Sequence, residues 1–88
     1  MSYRYEDYKS QIFSEEGQVM FLKIRDHIGV LLAASGAVSM QSILNTPGVT
    51  GDTWVMMACA DRLVELGEIR KVSTTIMGRN QIFVRPAE

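Results

Sequence analysis

Between Ser14 and Gly36 the apolar residues Met20, Phe21, Ile24, Ile28, Leu31 and Leu32 recur at three- and four-residue steps, with Lys23, Arg25 and Asp26 on the opposite side. That spacing predicts an amphipathic helix with one core-facing side. Ser14 offers a capping hydroxyl and Glu15 and Glu16 supply first-turn carboxylates, while Ser35-Gly36 provides a left-handed stop. A second, short helix is expected from Val38-Ser39, with Met40, Ile43 and Leu44 as its apolar positions. Asn45-Thr46-Pro47-Gly48 halts it, because proline disfavours helix at the residue before it and glycine supports a turn. A third helix follows, capped by Thr50, Asp52 or Thr53 and closed by Gly67. Its stripe of Met56, Cys59, Ala60, Leu63 and Leu66 predicts packing against the first two helices.

From Glu68 the pattern changes. Ile69, Val72, Thr74, Thr75 and Ile76 form a run rich in β-branched residues, Met77-Gly78-Arg79-Asn80 follows as a connection, and Gln81-Ile82-Phe83-Val84-Arg85 forms a second run ended by Pro86. These predict a β-hairpin with Arg79 and Asn80 at its tip. Upstream of Ser14, Tyr3, Tyr5, Tyr8, Ile12 and Phe13 fit neither period cleanly. Residues 1–13 therefore read as an arm or short helix whose rings cover a core edge or a dimer partner, and residues 14–88 as one domain.

Composition narrows the class. The chain has 88 residues, 47 % apolar and 22 % charged, which suits a single globular domain. Net charge is −1, but it is unevenly spread: residues 37–66 carry −2 and residues 67–88 carry +2. The positive excess sits in the predicted hairpin and its flanks. The single cysteine, Cys59, cannot form an internal disulfide and has no ligand-spaced Cys or His beside it. No apolar run reaches membrane-span length and the N-terminus lacks a signal-peptide core, so a reducing cytoplasmic setting is expected. No P-loop, nucleophile elbow or His-Glu zinc motif is present, and His27 beside the apolar stripe reads as a structural histidine. An enzyme, a metal and a cofactor are not expected.

The order of helix, short helix, Pro-Gly turn, longer helix and basic hairpin resembles the winged helix-turn-helix domains of bacterial transcription regulators. Residues Asp61-Arg62-Leu63-Val64-Glu65-Leu66-Gly67-Glu68-Ile69 are similar to the end of the recognition helix in MarR-like regulators. In length and in its aromatic-aliphatic last strand, the chain also resembles small fimbrial-operon regulators. The resemblance implies an α+β winged helix that binds double-stranded DNA and regulates transcription, with a homodimer easily accommodated. It places Thr53, Trp54, Met57, Ala58, Asp61 and Glu65 on the outward side of the third helix. Thr53 would bond a base or phosphate, Met57 or Ala58 would touch a thymine methyl, and Thr50 would stand at the helix start. In the hairpin, Arg70, Lys71, Arg79 and Asn80, with Arg85, would approach phosphates or a minor groove.

A second reading keeps the fold and changes the partner. The outward side carries no Arg, Lys, Asn or Gln for bidentate base readout, and Trp54, Val55 and Met57 rimmed by Asp52, Asp61 and Glu65 suit a protein-binding patch. Trp54 itself reads equally as an exposed contact residue or as part of the core.

Overall fold

The computed structural model describes residues 3–72 and 80–86. They form an α+β unit of four helices and a three-stranded antiparallel sheet: α1 Tyr5–Ile12, α2 Glu15–Ser35, β1 Ala37–Ser39, α3 Met40–Leu44, α4 Thr53–Glu65, β2 Arg70–Lys71 and β3 Ile82–Val84. Residues 73–79, which hold Thr74, Thr75 and Ile76 of the expected first strand and Met77, Gly78 and Arg79 of the expected connection, lie outside the described residues.

Helix ends follow the local chemistry. Ser14 caps α2, its Oγ accepting from Gly17 N–H at 3.0 Å, and Gly36 (φ 77°) closes it by donating to the Leu32 carbonyl. Of the three candidate caps for α4, Asp52 serves: its Oδ1 accepts from Trp54 N–H at 2.8 Å. Ser39 caps the five-residue α3 through Ser42 N–H at 3.2 Å. That serine also ends β1, a strand absent from the pattern-based expectation. Ala37–Ser39 is too short to show alternation, and it becomes a strand because β3 pairs with it across Ala37↔Val84, Val38↔Phe83 and Ser39↔Ile82.

The sheet order is β1-β3-β2, so the last strand is central, pairing β2 through Arg70↔Val84 and Lys71↔Phe83. Phe83, fully buried at the centre, meets Val38 across the ladder. On the helical side Ile24 and Ile28 of α2, Met40 and Ile43 of α3 and Cys59 and Leu63 of α4 close the core. Leu66, expected in that inward stripe, is instead the C-cap of α4 and is exposed.

Residues 5–12 are a helix, packed on α4 and joined to α2 by a tight corner. Ser14 Oγ donates to the Gln11 carbonyl at 2.8 Å and Gln18 Nε2 donates to the Ile12 carbonyl at 2.8 Å. Gly17 makes this corner possible, since a Cβ there would stand well inside contact distance of the Gln11 and Ile12 carbonyl oxygens. Gly17→Ala is therefore expected to destabilise the fold by about 1–3 kcal/mol, the usual cost of overpacking. Urea unfolding followed by circular dichroism checks it, and an unchanged midpoint would show that the corner relaxes freely.

Candidate nucleic-acid interface

The side of α4 expected to face outward is covered. Every residue from Val55 to Asp61 is buried, including Met57 at 7 % exposure and Ala58 at 0 %. The expectation that Met57 and Ala58 face solvent is thus corrected, as is that of an exposed patch containing Val55. The physical cause is α1, which packs on α4 in addition to α2 and α3. The signal was in the chain: Trp54-Val55-Met56-Met57-Ala58-Cys59-Ala60 is an unbroken apolar run, as expected of a helix buried on all sides.

Trp54 settles as a core-edge residue. Its half-buried indole meets Tyr8 at 5.5 Å and Tyr3 at 6.4 Å between centroids, both edge-on, while the two tyrosines stack at 6.1 Å. Edge-to-face packing suits the ring quadrupoles and joins the arm to the helix. This is the core-edge role expected for Tyr3 and Tyr8.

Polar contacts reinforce the same junction. Asp61 is buried, yet its carboxylate accepts from the Tyr3 hydroxyl at 2.5 Å and lies 3.1 Å from Lys71 Nζ. A buried carboxylate needs such partners, because its desolvation is otherwise uncompensated. Burial, and then the bond to Asp61, push the Tyr3 phenol well above its ordinary range. One turn further on, Glu65 accepts from Lys9, Arg62 and Tyr5. Its hydrogen bonds to Lys9 and Arg62 lead in lowering its pKa to about 2, and burial followed by the bond to Glu65 raises Tyr5 to about 12. Burial alone pushes the Cys59 thiol up to about 12, so it stays protonated and unreactive at neutral pH.

The remaining candidate residues divide between the α4 approach and the hairpin. Thr50 is exposed on an open cleft of about 610 Å³ between the start of α2 and the loop before α4, and Thr53 is half-buried as the first residue of α4. Arg70, Asn80 and Arg85 are exposed, whereas Lys71 is half-buried and turned to Asp61. Among the described cations, only Lys23, Arg70 and Arg85 lack a carboxylate partner: Arg4, Lys9, Arg25, Arg62 and Lys71 each have one. Arg85 follows Val84, the register partner of Arg70, so both arginines stand at the same end of the sheet. No group of three or more His, Cys, Asp or Glu among the described residues is placed to hold a metal ion. None of the described helices is long and apolar enough to cross a membrane. Comparisons with protein-family models, curated proteins and solved structures find no match for the chain.

Two outcomes test the α1–α4 junction. Tyr3→Phe keeps the ring and removes the donor to Asp61, and is expected to cost about 1–3 kcal/mol in urea unfolding, the penalty for an under-satisfied buried group. Glu65 has a folded pKa below its ordinary value of 4.5, so its contribution is fully present above that value and is lost as pH falls toward about 2. Stability measured across that window should therefore decline less steeply in Glu65→Gln than in the parent.

Proposed function

We propose that this chain is a winged-helix domain that attaches to double-stranded DNA through the base of its β2–β3 hairpin and serves in transcription regulation. The fold assignment is supported by the element order from α2 to β3 and by a sheet whose last strand lies between the other two. The observation that carries the DNA reading is the pair Arg70 and Arg85, exposed at one end of the sheet and free of carboxylates among the described residues. Unpaired guanidiniums on a strand pair are suited to phosphate oxygens, and phosphate contact supplies attachment without sequence selection.

On this reading α4 is the scaffold of the domain. Met57 is enclosed and Trp54 is held between the arm and the core, while Thr53 at the helix start, with Thr50 before it, remains near solvent for a polar contact. Sequence discrimination through α4 is accordingly weak. A cytoplasmic location fits a domain whose single cysteine is a buried thiol.

A second reading, a winged-helix protein-interaction module without strong DNA binding, is favoured by one specific observation. Three of the large apolar residues left open, Val19, Leu22 and Val30, are all on α2. Val55 and Met57 are buried and Trp54 is half-buried, so they are not available as its contact patch.

Fluorescence anisotropy on a random-sequence duplex across a salt series distinguishes the two. The DNA reading expects binding that weakens steeply with salt, with Arg70→Ala and Arg85→Ala each reducing the log–log slope by about one unit. Thr53→Ala should leave the slope in place. Absence of binding at low salt would remove the DNA reading and leave the interaction module.

A further inference from the structure

We propose that the outer crest of α2 is a self-association surface on which two copies of this chain pair through antiparallel α2 helices, Val19 of each against Val30 of the other and Lys23 against Asp26. This pairing uses no hairpin residue, so it stands or falls separately from DNA attachment.

The inward side of α2 is spent on the core through Gly17, Phe21, Ile24, Ile28 and Leu32. Directly opposite, the crest carries Val19 (51 % exposed), Val30 (65 %) and, on its flank, Leu22 (50 %). Valines on a solvated helix crest lower helix propensity and gain nothing from burial within one copy. Eleven positions separate Val19 from Val30, which is about three turns or 16 Å along the axis. The residues between them on the crest are charged, and of opposite sign: Lys23 and Asp26.

Charge order fixes the direction of pairing. An antiparallel pair with its two-fold axis between Ile24 and Arg25 sets each Val19 opposite Val30 of the second copy. The same operation sets each Lys23 opposite Asp26, so every attractive contact occurs twice. A parallel pair would instead set Lys23 against Lys23 and Asp26 against Asp26. Both groups are available. Lys23 Nζ donates to the Gly48 carbonyl at 3.2 Å, leaving ammonium donors over, and Asp26 has no ion-pair or side-chain hydrogen-bond partner among the described residues.

Gly29 supplies an independent observation. A glycine inside a helix weakens it, and a Cβ at Gly29 would meet nothing within 4 Å, so packing within one copy does not require its small size. On the same flank as Leu22, its bare backbone gives Leu22 of the second copy room to approach.

Sedimentation equilibrium of the full chain, from micromolar to millimolar concentration, tests the pairing. A reversible monomer–dimer equilibrium is expected, weakened roughly tenfold or more by Val30→Glu, which lies outside the core. Lys23→Asp and Asp26→Lys should each weaken the dimer, and the two together should restore it because the pair is then reversed. A monomer throughout the concentration range would overturn the proposal. So would a dimer indifferent to Val30→Glu, and so would a double variant no stronger than its single parents, which would refute the antiparallel register.

Discussion

Enclosure of α4 is the constraint on which the rest of this structure depends. Seven consecutive buried residues, from Val55 to Asp61, cannot all be covered by elements on one side of a helix. Helices α2 and α3 cover one side, and α1 must cover the other. The arm is thus part of the core, and its tight corner at Gly17 follows from the need to turn back onto α4 immediately before α2 begins.

Covering α4 also determines its electrostatics. Asp61 is carried beneath the arm with the rest of the helix, and a buried carboxylate persists only with a donor and a counter-charge. Tyr3, just before α1, and Lys71 of β2 supply them, linking the two ends of the described chain to α4 through one side chain. Glu65, more exposed, gathers Lys9, Arg62 and Tyr5 at the same junction. These exposed pairs are individually modest, and their main consequence is the placement of α1.

Such pairing leaves an uneven surface. Lys9 of α1, Arg25 of α2, Arg62 of α4 and Lys71 of β2 are matched with carboxylates, so the unmatched arginines among the described residues are Arg70 and Arg85, at one end of the sheet. Apolar exposure includes Val19, Leu22 and Val30 on α2, away from that end of the sheet. Free cationic charge and exposed apolar surface therefore lie on different elements of one small domain.

Local chemistry was readable along the chain. The α2 span, its Ser14 and Gly36 ends, the short α3, the position of α4 and the last strand follow from periodicity, capping groups and β-branched runs, each of which acts over a few neighbouring residues. Tertiary structure decided what those signals could not. A stripe through Met56, Cys59 and Leu63 identifies one packed side of α4, but the second packed side depends on a distant segment with no clear period, Tyr3 to Ile12. β1 exists because β3 pairs with it, Lys71 is matched because Asp61 is buried beside it, and Trp54 belongs to the core because two tyrosines reach it from across the chain. Side-chain spacing records the faces of single elements; which faces are covered depends on contacts between residues far apart in sequence.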